Sequence, residues 1–567
     1  MNSGSSPYIK LFDNKGIHWN FDLSQTVIRK AYEEDKLIFI HIGSNSNLIA
    51  RESALDLFFD DYVTDFINKN FIPVMLDADE NIEAYLTGID MLMMNNDFST
   101  MPMNIFTLPS RRPLVCFSNC DRDYFINVAS NLSKANKDKK SLLIDLSDEL
   151  NESLFRNNPF KLTNSEFIIS DTIIKNHIET WLSPQKNLHF LYKIRPFTPN
   201  PYLYSNLLDL VKYSRNSELS NSVVAFLDLI QYSGSFDPVE GGIFRQSIDS
   251  TCSEPLFEKT LSENAKFLEL YSSAYKFFGD ETYKETALKI FEFIKRDLSE
   301  ADGGLYNSTT LMNSFEDSVY YTFSINELSI LFPDDYRDVA EALGFNLRYN
   351  KMDQQLPVRS MATYLILNDI HLKRLIERRK EHRGYFVDKR VVTGNMARAV
   401  KSIAKASENL NDLYMYNFAK NKYNFLVNNT LNHNSSIFAN SELISTILYF
   451  YSTERKQEYL DLAVKMAKDL IVKYYDPSKH MFTDLKSKNN LFQSVENSNS
   501  DFILPSTNST MLGNVSELFI YTCNQEYREI AESMIRRISE SVVSAGPLSS
   551  SWASQILKYL QSVNQLH

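Results

Sequence analysis

Lys36-Leu-Ile-Phe-Ile-His-Ile-Gly43, followed at once by Ser44-Asn-Ser-Asn47, is the stretch that decides the fold of the first part of this chain. The run from Leu37 to Ile42 is almost wholly apolar, which is typical of a strand that is buried on both faces. The residues from Ala50 to Asn68 have the pattern of a helix. The chain therefore opens a domain in which a buried strand turns through four polar residues into a helix.

The segments that follow extend this pattern into an α/β domain. Phe71–Leu76 predicts a second buried strand, and Ile105–Leu108 with Pro113–Phe117 predicts a hairpin that turns at residues 109–112. A helix is predicted from the N-cap Ser24 to Asp35. Two parallel strands joined by helices, then an antiparallel pair, resemble a thioredoxin-like domain, in which Pro102 is expected to be cis.

The composition limits the classes of partner. With 567 residues, 43% of them hydrophobic, the chain is expected to form two or more soluble globular domains. The formal net charge of −12 argues against a nucleic acid or an anionic membrane as the main partner. No run approaches the roughly 20 apolar residues of a membrane span, and the first residues have no apolar signal core. A cytoplasmic location is predicted.

The cysteines do not form a recognisable framework. Cys116, Cys120, Cys252 and Cys523 have the spacing of neither a disulfide scaffold nor a zinc ribbon. We therefore expect no metal, and we interpret the four as small structural thiols. No other cofactor is expected.

A helical unit recurs in the second part of the chain. It consists of an apolar helix, a short polar loop, and a second helix that starts with Tyr and carries Ala four residues later. The clearest copy contains Tyr283 and Ala287, and others contain Tyr459 with Ala463 and Tyr527 with Ala531, while residues 399–431 form a looser copy. Helical hairpins of this kind must stack on one another. The glycine- and aromatic-rich exits Gly241-Gly242-Ile-Phe244 and Gly303-Gly304-Leu-Tyr306 favour a closed (α/α)6 toroid over an open solenoid.

These motifs resemble a family named for spermatogenesis-associated protein 20 and its bacterial relatives. That resemblance implies a thioredoxin-like domain joined to an (α/α)6 barrel of six-hairpin glycosidase type, similar to that of N-acylglucosamine 2-epimerases. The matching segments run through almost the whole chain: Trp19, Ala31, Asp35-Lys36, Ile40–Gly43, Arg51–Ser53, Asn70–Val74, Met101–Asn104, Gly241–Asp249, Pro255–Leu261, Asp388–Asn395 and Pro505–Ser509.

The departures from the family pattern bear on function. Where relatives carry Cys-x-x-Cys-His, this chain has a shorter loop without sulfur. Cys252–Leu256 replaces a Trp-His-x-Pro-His run, and Asn307–Thr310 replaces an acidic stretch. Thiol–disulfide exchange requires a thiolate, for which Ser or Asn cannot substitute. We therefore predict a divergent member without redox activity.

The polar loop has two interpretations. Ser44, Asn45, Ser46 and Asn47 precede a helix, so they could cap it or could hold an anion or a peptide carboxylate beside its free N–H groups. A capping loop is favoured. Pro102 would shape the groove next to it.

The barrel segments also have two interpretations. Arg245, Asp249, Glu258, Lys259 and Asp388 would converge in a toroid, together with Asn395 and Asn508. Glu258 and Asp388 could act as paired acids on a sugar, but a satisfied buried charge network is favoured. The segment from Lys373 to Arg383 is interpreted as a solvated helix end.

The sequence thus predicts a thioredoxin-like domain over residues 1–140, a linker over 141–170 and an (α/α)6 barrel over 171–567. The protein is predicted to be a binding or structural protein whose barrel holds a small polar ligand, a sugar or a protein partner. A carbohydrate-active enzyme, either a glycoside hydrolase or an epimerase-like protein, is the alternative.

Overall fold

The computed structural model describes most of the chain. It covers residues 6–13, 15–95, 97–157, 197–301, 303–312, 317–360, 367–382, 384–430, 436–483, 499–501 and 503–566, with positions 160, 162, 163, 170, 174, 194 and 196. Arg383 and Leu431, which end two of the segments named above, lie outside these residues, as does most of the predicted linker beyond Asn157. The chain divides into two compact units, Met1–Trp181 with His433–His567, and Leu182–Asn432.

The first unit begins with the predicted α/β region. Its sheet contains β1 (Leu37–Gly43), β2 (Phe71–Asp77), β3 (Met103–Thr107) and β4 (Pro113–Phe117), in the order β2-β1-β3-β4. β1 runs parallel to β2 and antiparallel to β3, and β3 runs antiparallel to β4. All four predicted strands and their pairing are confirmed. The two parallel strands are buried along their whole length, because helices cover both faces.

Helices cover this sheet on both faces. They are α1 (Pro7–Phe12), α2 (Gln25–Glu33), α3 (Leu48–Phe58), α4 (Asp61–Asn70), α5 (Ile82–Met94), α6 (Arg122–Asp138) and α7 (Lys140–Asn157). The single helix predicted from Ala50 to Asn68 is wrong. The chain leaves the helix at Phe59, and the Asp60 side chain accepts the N–H of Val63 at 3.0 Å, which starts a new helix.

The remainder of the first unit is helical. It comprises α17 (Ile437–Glu454), α18 (Gln457–Tyr474), the short pair β10 (Tyr475–Asp476) and β11 (Met481–Phe482), α19 (Thr507–Thr522), α20 (Gln525–Ser544) and α21 (Ser550–Leu566). α17 packs on α18, and α19 packs on α20. These two hairpins are predicted copies of the repeat.

The second unit contains the other hairpins and a small sheet. Its helices are α8 (Pro201–Ser214), α9 (Ser217–Gln231), α10 (Leu261–Phe278), α11 (Glu281–Asp297), α12 (Ile325–Leu331), α13 (Tyr336–Ala342), α14 (Asp369–Arg379), α15 (Thr393–Leu410) and α16 (Leu413–Thr430). Its three-stranded sheet has the order β5 (Lys259–Thr260), β6 (Ser308–Thr310), β9 (Phe386–Asp388), and a second pair joins β7 (Phe323–Ser324) to β8 (Gln354–Gln355).

The repeated Tyr and Ala positions are core positions in every clear copy. Ala287, Ala463 and Ala531 are fully buried, and Tyr283 and Tyr527 are no more than 2% exposed. The small Ala lets the second helix of a hairpin approach the first, and the Tyr ring fills the space beside the loop. The predicted fold class is confirmed: an α/β region with a small sheet is followed by a largely helical part.

The boundaries of the predicted domains remain predictions. Helix α7 occupies the start of the predicted linker, and its Leu143 belongs to the hydrophobic core of the α/β region. The two compact units also divide the chain at places other than residues 140 and 170. In the described residues, no helix combines the length and the apolar character needed to cross a membrane.

Candidate functional site

The loop at the end of β1 is an internal cap. The Asn47 side chain accepts the N–H of Ala50 at 2.8 Å and so caps α3. Ser44 Oγ lies 3.0 Å from Ser46 Oγ and donates to the Asp79 carboxylate at 2.9 Å. All four residues from Ser44 to Asn47 are at most 4% exposed. The loop therefore has the favoured capping role, and its polar groups face the protein interior.

The other predicted groove residue is also buried. The Met101–Pro102 peptide bond is cis, as predicted, and Pro102 is buried at the start of β3. The α/β region therefore retains the backbone features of a thioredoxin-like groove, although its loop has no sulfur and none of its four polar residues is open to solvent.

A chain of hydrogen bonds crosses the sheet beside this loop. Nε2 of His41 lies 2.7 Å from the Tyr8 hydroxyl, and Nδ1 lies 2.8 Å from Oδ1 of Asn104. Because Asn104 donates its amide group to the carbonyl of Ser118 at 3.0 Å, its Oδ1 must accept from His41. His41 is therefore the Nδ1–H tautomer, and Tyr8 donates to Nε2. Burial lowers the pKa of His41 to about 4, and the hydrogen bond that His41 donates to Asn104 partly opposes this shift by raising the pKa.

Three of the four thiols have a raised pKa. Burial raises the pKa of Cys116 well above its usual range, that of Cys120 to about 12 and that of Cys252 to about 11. The Cys116 Sγ faces the carbonyl of Gly88 at 3.8 Å. The thiolate is the reactive species, and a raised pKa lowers its fraction at neutral pH.

The α/β region also contacts the helical part of its own unit. Oε1 of Glu83, in the first turn of α5, accepts the backbone N–H of Phe438 at 2.8 Å. Phe438 lies in the first turn of α17, whose N-cap Ser436 accepts the N–H of Ala439. A carboxylate at a helix N-terminus is stabilised by the helix dipole. The N-terminus of α5 lies at the same sheet edge as the Ser44–Asn47 loop, because both follow the carboxyl ends of parallel strands.

The small sheet of the second unit gathers four of the predicted barrel residues. The N–H of Arg245 donates to the carbonyl of Glu258 at 2.7 Å, immediately before β5. Asp388 ends β9, and its carboxylate accepts from the Asn307 amide at 3.4 Å. Asn395 in turn donates to Oδ1 of Asn307 at 3.0 Å.

This sheet also sets the direction of its side chains. Thr260, Ser308 and Asp388 are direct partners across the three strands, so their side chains lie on one face.

Asn307, which connects Asp388 to Asn395, was not among the predicted residues. The sequence signal that could have identified it is its position in the stretch that departs from the family pattern. Arg390 binds Asp388 at both carboxylate oxygens, with contacts of 2.6–3.0 Å.

Asp249 organises its own loop. Its carboxylate accepts hydrogen bonds from the backbone N–H groups of Thr251, Ser253 and Glu254 and from the hydroxyl of Ser247, all at 2.8–3.2 Å. These donors lower the pKa of Asp249 below its ordinary value even though burial raises it. The predicted pocket role is not supported, because the acceptor positions of this carboxylate are occupied by the loop.

Lys259 belongs to a buried charge network. Its Nζ lies 2.9 Å from Oδ2 of Asp237 and 2.7 Å from the carbonyl of Gly241. Arg379 binds Asp237 at 2.8 and 3.1 Å and Glu240 at 2.7 Å. Two cations and two acids thus balance in the interior, as the favoured interpretation of the barrel charges predicts. Burial disfavours the charged form of Asp237, but Arg379 and Lys259 keep its pKa below the ordinary value.

The same network corrects the interpretation of the segment from Lys373 to Arg383. Arg378 and Arg379 are buried, and Arg378 binds Glu327, so this part of α14 is not a solvated helix end. The helix turns these two arginines inward, where both guanidinium groups find carboxylates. Sequence reasoning missed Asp237, Glu240 and Arg379; the only available signal was the Asp-Pro-Val-Glu run before Gly241.

Asn508 is a backbone clamp. Its side chain accepts the N–H of Phe482 at 2.8 Å and donates to the carbonyl of the same residue at 3.0 Å. Asn264 does the same to Ile243, at 2.7 and 3.0 Å, in the other unit. Each lies at the start of the first helix of a hairpin and fixes a neighbouring loop. Asn508 belongs to the first unit, and the other predicted barrel residues belong to the second.

The donor sets do not form a metal site. Within the described ranges, no group of three or more His, Cys, Asp or Glu side chains is arranged to hold a metal ion.

Comparisons with known proteins agree with the architecture. Residues 1–155 match a family model described as Thioredox_DsbH, protein of unknown function, DUF255. Human spermatogenesis-associated protein 20 is 22% identical over 355 residues, a match that covers 60% of this chain and 45% of the human protein. The chain thus spans about half the length of the mammalian relatives it matches. An uncharacterized protein of Caenorhabditis elegans, B0495.5, is 21% identical and matches 94% of this chain and 82% of its own length.

Solved structures of other proteins show a limited similarity to this chain. Cellobiose 2-epimerase from Spirochaeta thermophila has a TM-score of 0.44 and 10% identity, with 70% of this chain and 98% of that protein covered. An α-mannanase, BT2949, from Bacteroides thetaiotaomicron has a TM-score of 0.42 and 11% identity, with 70% and 97% covered.

The sequence comparisons therefore relate this chain to spermatogenesis-associated protein 20, and its N-terminal region, residues 1–155, matches the DUF255 family model.

Proposed function

We propose that this protein is a binding protein without thiol–disulfide activity, and that its second unit binds a small polar ligand beside the sheet β5-β6-β9. The observation that carries this proposal is the convergence of four polar residues from separate stretches of sequence: Arg245, Glu258, Asp388 and Asn395. They surround a small sheet at the start of helices α10 and α15. Asn395 is half-buried, so the edge of this cluster reaches solvent.

The α/β region supports the first half of the proposal. Its loop from Ser44 to Asn47 is buried and acts as a helix cap, and burial raises the pKa of Cys116, Cys120 and Cys252. We assign this region a structural role, in which Glu83 anchors the N-terminus of α17. The four free thiols fit a reducing compartment, and the cytoplasm is the proposed location.

The ligand proposal is tested by a thermal-shift screen of a broad metabolite collection. The screen uses the intact protein and an Asn395→Ala variant, which removes one half-buried amide from the cluster. Asn429→Ala is the matched control, because Asn429 is an exposed amide whose side chain donates to the carbonyl of Phe425 in its own helix. A compound that stabilises the intact protein and the control, but not Asn395→Ala, supports the site. A screen without such a compound contradicts it.

A carbohydrate-active enzyme is the second candidate. Glu258 immediately precedes β5 and Asp388 ends β9, and the residue opposite Asp388 across the sheet is Thr260, two residues after Glu258. Because the outer strands of three lie roughly 10 Å apart, the two backbone positions are about 12 Å apart, and only long side chains reaching toward each other could approach the spacing of paired catalytic acids. The two contacts from Arg390 oppose this candidate, because they hold Asp388 as an ion pair. Hydrolysis or epimerisation of a sugar that is lost in Glu258→Gln, with folding unchanged, would establish it.

A further inference from the structure

The amino ends of the two parallel strands form the edge of the α/β sheet that lies away from the Ser44–Asn47 loop. Lys36 immediately precedes β1, and Asn70, the last residue of α4, immediately precedes β2. The register pairs Ile38 with Thr107, so the hairpin turn at residues 109–112 reaches the same edge. Three separate stretches of sequence therefore meet at this edge.

The ends of three helices join it. The Asn136 amide, near the end of α6, donates to the carbonyl of Asp35, just after α2, at 2.7 Å. The ammonium of Lys140, the first residue of α7, binds the Asp35 carboxylate. Lys137 Nζ lies 3.5 Å from Oδ1 of Asn70. The last turns of α2, α4 and α6 and the start of α7 thus share one surface, which consists of residues 29–36, 66–70, 109–112 and 134–148. We call it the amino-edge surface.

Cations outnumber acids on the amino-edge surface. Its four segments contain ten Lys and Arg residues and six Asp and Glu residues. The formal charge of the surface is therefore +4 in a chain of net charge −12, and the remainder of the chain carries −16. A local surface of the opposite sign to the rest of the molecule attracts anionic partners and orients them.

Ion pairs neutralise only part of this charge. Lys36 Nζ lies 2.9 Å from a Glu34 oxygen, and Arg112 binds Asp148 of α7. Exposed pairs of this kind contribute little stability, because water and salt screen them. Since the cations exceed the acids, a positive charge remains whichever pairs form.

Helix dipoles reduce the charge without reversing it. Lys30, Lys69 and Lys137 lie in the last turns of α2, α4 and α6, where a cation is favoured. Each helix C-terminus is equivalent to about −0.5 of an elementary charge, so three of them offset roughly 1.5 positive charges. Lys134 and Lys139 are both exposed, and among the described residues neither has a carboxylate within ion-pair distance.

Exposed apolar side chains lie beside these cations. Leu142 and Leu146 are one turn apart on α7 and are 53% and 38% exposed, and Tyr32 on α2 is 58% exposed. Interfaces between proteins combine large apolar side chains with a polar, charged rim. The surface therefore offers both the charge that attracts a partner and the apolar area that holds one.

An acidic protein segment fits this composition better than a nucleic acid or an anionic bilayer does. Asp138, Asp145 and Asp148 lie among the lysines and leucines of the segment 134–148. They would oppose a continuous array of phosphate groups. A protein segment can instead place each carboxylate against a lysine and each apolar side chain against a leucine.

We propose that the amino-edge surface docks an acidic segment of a partner protein, in which Asp or Glu residues alternate with large apolar residues. The carboxylates of the segment face Lys134 and Lys139, and its apolar side chains pack on Leu142 and Leu146. The surface belongs to the α/β region, and the proposed ligand site belongs to the second unit, so this proposal does not depend on that site.

The test is fluorescence anisotropy of the intact protein with a labelled peptide of four Glu-Glu-Leu repeats, compared with four Gln-Gln-Leu repeats. Lys134→Gln combined with Lys139→Gln removes two charges from the surface. Lys465→Gln combined with Lys468→Gln is the matched control, because it changes the net charge equally at two exposed lysines of α18. We expect the acidic peptide alone to bind. Its affinity should fall about tenfold in the first double variant, stay unchanged in the control, and weaken as sodium chloride is added.

Several results would overturn the proposal. Equal losses in the two double variants would mean that net charge and not this surface attracts the peptide, and no binding up to millimolar peptide would exclude an acidic segment. Phosphatidylserine vesicles or poly(U) RNA that bind more tightly than the peptide, and lose affinity in Lys134→Gln with Lys139→Gln, would assign the surface to a membrane or a nucleic acid. Self-association in sedimentation that this variant abolishes would assign it to a second copy of the chain. Circular dichroism of each variant checks that folding is unchanged.

Discussion

The hydroxyl oxygen of Tyr8 lies 2.3 Å from the position that a Cβ atom on Gly43 would occupy. Gly43 is the last residue of β1, immediately before the loop that replaces the redox motif. The phenol cannot retreat freely, because it donates to His41 at 2.7 Å. Residue 43 must therefore lack a side chain so that α1 can pack against the end of the central strand.

Gly43→Ala is expected to destabilise the first unit. The added methyl group would collide with the phenol ring and force α1 away from β1, at a cost of about 1–3 kcal/mol or more. Urea unfolding followed by circular dichroism measures this cost. Gly279→Ala is a matched control, because nothing lies within 4 Å of a Cβ at that position and only its positive φ of 76° is strained. Equal stability losses in the two variants would contradict the steric explanation.

His41 is expected to make the protein acid-sensitive. Its pKa is about 4 in the folded state and about 6.5 when unfolded, so the unfolded chain binds the proton more readily. The stability that neutral His41 provides is complete above pH 6.5 and is lost as the pH falls through 4. The total is about 3 kcal/mol. Free energies of unfolding from pH 4 to 7 should rise with pH less steeply in His41→Gln than in the parent protein. Parallel profiles would contradict this prediction.

Asp501 is expected to act in the opposite direction. Burial raises its pKa to about 7, although the N–H groups of Ser506 and Ser551, at 2.9 and 2.7 Å, favour the ionised form. Because the folded state holds the proton more tightly than the unfolded state, the stability due to Asp501 is present below pH 4 and is lost as the pH rises through 7.

Asp501→Asn, which carries no titrating proton, should remove that loss. Between pH 4 and 7 its free energy of unfolding should rise with pH more than that of the parent protein. A double variant with His41→Gln separates the two contributions, which offset each other in the parent. An unchanged profile in Asp501→Asn would show that the carboxylate titrates at its ordinary pKa.

The buried network predicts unequal roles for two adjacent arginines. Arg379→Met would remove the guanidinium group that binds the carboxylates of both Asp237 and Glu240 in the interior, at a cost of about 3–5 kcal/mol. Arg378→Met removes a bond to Glu327, whose side chain is 25% exposed and can turn to water, so the cost should be near 1 kcal/mol. Thermal unfolding of both variants measures the difference. Similar melting temperatures would show that the network is not the stabilising element.

The strands were predictable from sequence because their signal is local. The apolar runs at Leu37–Ile42 and Phe71–Leu76 report burial on both faces, and the Tyr and Ala positions of the hairpins report helix contacts. The break at Asp60 was missed, although Asp60 has the identity of an N-cap, because the apolar pattern continues through it. Local pattern therefore fixes the presence of elements better than their ends.

The site was only partly predictable. Arg245, Glu258, Asp388 and Asn395 were identified by their motifs, and the structure places them beside the small sheet of the second unit, while their role as a site stays a prediction. The bonds that Asp249 and Asn508 make were not predicted, because hydrogen bonds to neighbouring backbone groups leave no signature that distinguishes a clamp from a ligand-binding side chain. Asn307 was not among the predicted site residues, and its contacts with Asp388 and Asn395 became visible only in the structure.

The sequence by itself determined that this chain has an α/β region without a redox thiol and a helical region built from hairpins, since both follow from residue type and local spacing. Tertiary structure alone decided which distant charges pair in the interior. Asp237 and Arg379 are 142 residues apart in the sequence, and they form a buried ion pair. The reason is physical: burial and pairing of a charge depend on what the fold brings next to it.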